Sequence, residues 1–242
     1  MALKKTVIIT GASRGIGKAM AQDFWASGYN VLINYRNSRD KAIALKGQLG
    51  GAEIYCADVS CREQVDNMIE FCMNKFNSID VLINNAGIAE FKLFTEITSE
   101  QWDNMINVNL KGTFNCCQSV LKNMLKNKKG KIINISSVWG LSGASCEVHY
   151  STAKAGVIGL TKALAKELAP SNIQVNCIAP GVIQTDMNSN LSQDEIQQLI
   201  NEIPTGRIGT PQDVASCALF LADEKNSYIT GQVISPNGGF LI

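Results

Sequence analysis

Short runs of Val, Ile and Leu alternate with longer amphipathic stretches along the whole chain. Runs at 6–10, 30–35, 53–57, 81–84, 131–136, 173–178 and 232–235 predict seven strands. Several are apolar without a break, as strands buried on both faces of a parallel sheet must be. Between them, helical spacing of apolar residues predicts helices at 18–26, 39–49, 62–76, 100–126, 150–168 and 212–222. Ser99, just ahead of the fourth, and Pro211, just inside the last, serve as start signals. Strict alternation of strand and helix implies a doubly wound α/β architecture: a seven-stranded parallel sheet, right-handed crossovers, helices on both faces. A length of 242 residues suits one such domain spanning 1–242. The one long polar interruption, 187–206, predicts a lid-like insertion with a short amphipathic helix carrying Ile196, Leu199, Ile200 and Ile203.

Composition narrows the partners. The formal net charge of +1 offers no electrostatic reason for a nucleic acid or an anionic membrane. The basic stretch 122–131 reads as a solvated helix end, where cations suit the dipole. No apolar stretch is long enough for a membrane span. The 8 cysteines form no C-x-x-C pair, and with a single histidine they predict no metal site. Together with the lack of a leader-like N-terminal stretch, they read as reduced thiols of a cytoplasmic protein, most of them small buried hydrophobes.

The first strand runs into Thr10-Gly11-Ala12-Ser13-Arg14-Gly15-Ile16-Gly17 and then a helix. Strand, glycine-rich turn, helix is a phosphate-binding arrangement: small residues admit a pyrophosphate, and the helix start supplies unpaired N–H groups. Gly11, Ser13, Arg14, Gly15, Ile16 and Gly17 are the candidates there. Open parallel sheets bind ligands beyond the C-terminal strand ends. Those ends carry Asp58 and Val59 after the third strand, and Asn84-Asn85-Ala86-Gly87 after the fourth. Ser136-Ser137 and Pro180-Gly181 follow the fifth and sixth.

Tyr150 and Lys154 are a helical turn apart on one face, thirteen residues beyond Ser137. A phenol with a pKa of about 10 is a poor proton partner at neutral pH. A nearby ammonium favours the phenolate and brings that value toward a useful range, and a serine hydroxyl can hold a carbonyl oxygen. This combination suits carbonyl reduction, or alcohol oxidation, with hydride carried by a nicotinamide.

On these motifs, together with Asn109 and Thr185, the chain resembles the short-chain dehydrogenase/reductase family over its full length. The resemblance implies a single Rossmann domain. It implies that Tyr150 is the general acid, that Ser137 orients the carbonyl, and that Lys154 tunes Tyr150 and holds the ribose. Asn109 would support a water that reprotonates Lys154, Asp58 would accept from the adenine amino group, and Ile183 and Thr185 would contact the nicotinamide end. Members are commonly homotetramers paired through their two long helices, here 100–126 and 150–168.

Cofactor choice follows from charge. An NAD site calls for an acid near the end of the second strand. Here that segment is Asn34-Tyr35-Arg36-Asn37, so Arg36, flanked by Arg14, predicts NADP(H) through guanidinium–phosphate pairing.

Two other classes compete with this reading. Gly11-Ala12-Ser13-Arg14-Gly15 also fits the G-x-S-x-G elbow of serine hydrolases, but it follows the first strand, where no earlier loop supplies an oxyanion hole. A non-catalytic NADP sensor would be expected to lack Tyr150 or Lys154, and both are present.

Within the family the chain is similar to reductases of 3-oxoacyl groups on acyl-carrier protein. It departs from them at Ile88-Ala89-Glu90-Phe91, at Val138-Trp139-Gly140 and at Cys146-Glu147-Val148-His149. Those departures resemble a group that reduces the 5-aminopentanone modification of elongation factor P. Glu147 suits an amine there, and Trp139 an alkyl wall.

Overall fold

The computed structural model describes residues 4–185 and 192–242. Seven parallel strands form one sheet in the order β3-β2-β1-β4-β5-β6-β7. They are β1 (Thr6–Ile9), β2 (Asn30–Tyr35), β3 (Glu53–Cys56), β4 (Val81–Asn84), β5 (Gly130–Ile135), β6 (Ile173–Ile178) and β7 (Val233–Ile234). The expected strands are all present, with ends shifted by about a residue. The strand order reverses between β1 and β4, which opens a crevice at their C-terminal ends.

Alternation along each strand divides the core into two layers. Val7 and Ile9 face a layer with Met20 and Phe24 of α1 (Gly15–Ala26), Leu45 of α2 (Arg39–Gln48), and Val214 and Leu221 of α9 (Pro211–Ala222). Ile8 points the other way, in register with Leu32 and Leu82 on the neighbouring strands. There it packs over Met68 of α3 (Arg62–Phe76), Val120 of α5 (Gly112–Asn127) and Leu168 of α7 (Val148–Leu168). Each such side chain contributes about 1.5–3 kcal/mol by leaving water.

The structure corrects several local expectations. The helix expected at 100–126 is α4 (Ser99–Ile106), a π turn (Asn107–Lys111) and α5. Its cap is Thr98 rather than Ser99: the Thr98 hydroxyl accepts from the Gln101 N–H while the Gln101 side chain accepts from the Thr98 N–H. A short helix, α6 (Trp139–Ser142), follows β5 where none was expected. Four of the cysteines, Cys72, Cys116, Cys117 and Cys177, are buried; the other four are partly or fully exposed, so the buried role holds for half of them. Burial pushes the Cys117 thiol up to about 12, which leaves it protonated packing material. Of the insertion at 187–206, positions 187–191 lie outside the described residues. The remainder holds α8 (Gln193–Glu202), capped by Ser192 and Glu195. No helix among the described residues is long and apolar enough to cross a membrane.

The start of α9 is a third capping box. Asp213 accepts from the Thr210 N–H at 2.7 Å and from both terminal nitrogens of Arg207, at 2.7 and 2.9 Å. These bonds hold its carboxyl well below the usual carboxylate range, the Arg207 bond contributing most. Asp213→Ala is expected to cost about 1–2 kcal/mol, discounted for the partial exposure of the pair, and to lower Tm by about 3–6 °C. The folded-state value is depressed, so this stabilisation is complete above about pH 4 and lost as pH falls further. Melting curves of the two proteins at neutral and acid pH check it: the gap should close in acid.

Candidate functional site

A cleft of about 780 Å³ lies over the C-terminal ends of the strands. Its floor is the glycine turn, which is tied to both neighbouring strands. The Gly11 N–H donates to the Asn34 side chain, and the Asn34 amide donates to the Ala57 carbonyl at 3.0 Å. On the other side the Thr10 hydroxyl accepts from the N–H groups of Asn85 and Ala86, both at 2.9 Å. Asn34 and Thr10 were not among the expected site residues. A polar residue at the end of an otherwise apolar strand was the available signal.

Gly11 adopts φ +61°, and a Cβ there would stand 2.9 Å from the Ala86 Cα, so the backbones meet where only glycine fits. The first turn of α1 points unpaired N–H groups toward the cleft and carries no acid. A cradle of bare backbone at a helix start, with Arg14 and Arg36 on the rim, fits the pyrophosphate and adenosine end of a dinucleotide.

Of the residues expected from sequence, all but one line this cleft. Ser13, Arg14, Gly15, Ile16, Arg36, Asp58, Val59, Asn85, Ala86 and Gly87 lie toward the turn. Asn109, Ser137, Trp139, Glu147, Tyr150, Lys154, Pro180, Gly181, Ile183 and Thr185 complete the wall. Gly17 is the exception. It sits beneath the turn, against the Gly11 carbonyl and Ala12. Arg36 pairs with Asp58 at 3.2 Å. Burial pushes the Asp58 carboxyl up, but Ser60 and Arg36 outweigh it and hold it below the usual range.

At the centre, Tyr150 and Lys154 project from α7 toward Ser137 at the end of β5. The Lys154 ammonium donates to the Ile135 carbonyl at 2.9 Å and lies 5.6 Å from the Tyr150 ring centroid, over its face. This corrects the expected lowering of the phenol. Burial dominates and pushes Tyr150 up to about 12, only partly opposed by its hydrogen bond with Ser137. Burial likewise pushes Lys154 down to about 8.

Asn109 lies in the π turn with its side chain committed to the loop after β4. Its amide donates to the Ile88 and Met105 carbonyls, both at 3.0 Å, and its oxygen accepts from the Ile88 N–H. Trp139 stands edge-on to Phe240, centroids 5.6 Å apart. Glu147 is half-buried at the start of α7, where burial pushes its carboxyl up. Its neighbour His149, together with Glu90 on the loop after β4, was not among the expected site residues.

Comparison with known proteins identifies the family. The family model described as enoyl-(acyl carrier protein) reductase matches residues 11–241. The 3-oxoacyl-(acyl-carrier-protein) reductase FabG of Staphylococcus epidermidis is 44% identical over 241 residues, 98% of this chain and 99% of that protein. FabG of Chlamydia trachomatis is 43% identical over 241 residues, 98% of this chain and 97% of its own. FabG of Thermotoga maritima is 43% identical over 241 residues, 98% of both.

Proposed function

The chain belongs to the short-chain dehydrogenase/reductase family, a family of nicotinamide-dependent oxidoreductases, and on that premise we propose that it reduces a 3-oxoacyl thioester on acyl-carrier protein with NADPH. The observation that carries the reading is the meeting of Ser137, Tyr150 and Lys154 in one cleft with the dinucleotide cradle. Two hydroxyls converging on one point suit an oxygen that gains negative charge, as a carbonyl oxygen does when hydride adds to its carbon. The bound nicotinamide supplies hydride. Ser137 holds the carbonyl oxygen, and Tyr150, kept protonated by burial, delivers the proton. Lys154 anchors the ribose and the geometry of Tyr150. Asn109 adjoins it: a Cβ on Gly87 would lie 2.6 Å from the Asn109 oxygen and 3.4 Å from the Lys154 nitrogen. Assembly as a homotetramer through the helices of 99–127 and 148–168 belongs to the same reading, supported by Phe114 and Leu125 exposed on α5.

NADPH consumption with an acetoacetyl-carrier-protein thioester is the direct test. No turnover by a folded, NADPH-binding protein moves the assignment to a second reading, reduction of the 5-aminopentanone group on elongation factor P. Glu147, a carboxylate on the cleft wall, is the observation that favours it.

The NADPH preference rests on Arg36, with no acid at the end of β2. Loss of a charged hydrogen bond to phosphate costs about 1.5–3 kcal/mol. Arg36→Ala is therefore expected to lower the NADPH-to-NADH ratio of kcat/KM by roughly tenfold to a hundredfold. An unchanged ratio would remove Arg36 from the assignment.

A further inference from the structure

His149 is fully buried, and neither ring nitrogen has a hydrogen-bond partner among the described residues. Its Nε2 stands 3.6 Å from Oε2 of Glu90, a side chain 41% exposed on the cleft wall. The other oxygen of Glu90 accepts from the Gln101 side chain at 2.8 Å. Gln101 cannot present its amide the other way round. Its oxygen is already taken by the Lys92 ammonium at 2.9 Å and by the Thr98 N–H at 3.0 Å. One carboxylate is thus held by the start of α4 and approached, without a bond, by the start of α7. A buried imidazole with both nitrogens bare is costly, and a shift of a few tenths of an ångström toward Glu90 would satisfy it.

We propose that His149 is a positioning residue that fixes the Glu90 carboxylate on the substrate wall, and that the pair makes this wall selective for carbonyl compounds carrying a positive charge. The charge distribution supports this. Glu90 and Glu147 both line this half of the cleft. The Lys154 ammonium is directed at the Ile135 carbonyl, and the Lys92 ammonium, one side chain away from Glu90, is bonded to the Gln101 oxygen and not to the carboxylate. Phe91 and Trp139 add aromatic faces to the same wall, and such faces also attract cations. The inference rests on the cleft being a site of carbonyl reduction, and of the two substrate readings it favours the second, whose substrate carries an amine.

The test uses two short ketones of the same shape, one ending in a quaternary ammonium and the other in a tert-butyl group. For the native enzyme the cationic ketone should have a kcat/KM at least about tenfold higher, with the difference in KM. Glu90→Gln and His149→Leu should each bring the ratio toward one, and His149→Gln, which keeps a donor, should recover part of it. Because the result is a ratio, a general loss of activity cancels. If His149→Leu does not fold, Glu90→Gln and His149→Gln still decide. A native ratio near one overturns the proposal, as does a ratio untouched by replacing His149. If neither ketone is turned over, the reading of the cleft as a reductase fails, and the ratio of the two Kd values by calorimetry decides the charge selection by itself.

Discussion

Replacing Tyr150 with phenylalanine is expected to lower carbonyl reduction by about a hundredfold to ten-thousandfold, the span for losing a positioned proton donor. Dinucleotide binding should stay within a few-fold, because the ring remains and only its hydroxyl goes. Burial holds the phenol at about 12, so at neutral pH it is almost wholly in the proton-donating form. The residue that titrates in the working range is Lys154, pushed down by burial to about 8. Reduction should hold a plateau below about pH 8 and fall above it as the ammonium loses its proton. Lys154→Met should remove that inflection along with most of the rate. Steady-state profiles of the three proteins check this, and a Tyr150→Phe enzyme keeping more than about a tenth of the native rate would take the proton-donor role from Tyr150.

Gly17→Ala should be nearly as damaging by a different route. A Cβ at this position would stand 2.6 Å from the Gly11 carbonyl oxygen and 2.8 Å from the Ala12 Cα. Those atoms are backbone and cannot swing aside, so the turn itself must move. Overpacking of this kind costs about 1–3 kcal/mol, and the displaced turn should weaken NADPH binding by at least about tenfold. Gly47, on α2, has nothing within 4 Å of its would-be Cβ. Gly47→Ala should therefore leave binding alone and stabilise slightly, by about 0.5–1 kcal/mol. Melting curves and NADPH titrations distinguish the two, and identical behaviour would show that the turn has room the distances deny.

The sheet was legible because a strand buried on both faces leaves an unbroken apolar run, as at Val7-Ile8-Ile9 and Val81-Leu82-Ile83. The strand-end turns were legible for a related reason: polar and glycine residues placed just after such runs must lie on one edge. The break in the helix of 99–127 was not. A π turn inserts no glycine or proline, and Asn107-Val108-Asn109-Leu110-Lys111 continues a helical pattern. Nor could the direction of the Tyr150 shift be read, because burial sets it, and how deeply the phenol is buried depends on elements far away in the chain. Glu90, Gln101 and His149 were beyond reach for the same reason. They come from a loop and two helices, and no spacing along the chain marks their meeting.

The reversal of strand order between β1 and β4 also bears on how the molecule is assembled. Val7 meets its β2 partner Val31 across 24 residues of chain, but its β4 partner Val81 across 74. Closing the longer loop costs about 1 kcal/mol more in chain entropy. As the chain leaves the ribosome, β1, β2 and β3 are available to pair well before β4 exists. Until then one edge of β1, an interior strand of the finished sheet, is bare and open to mispairing. The late-formed seam between β1 and β4 is also the one the dinucleotide cradle spans. A nucleotide bound there would grip both sides of it, so cofactor supply should govern how completely newly made chains survive as well as how fast finished ones work.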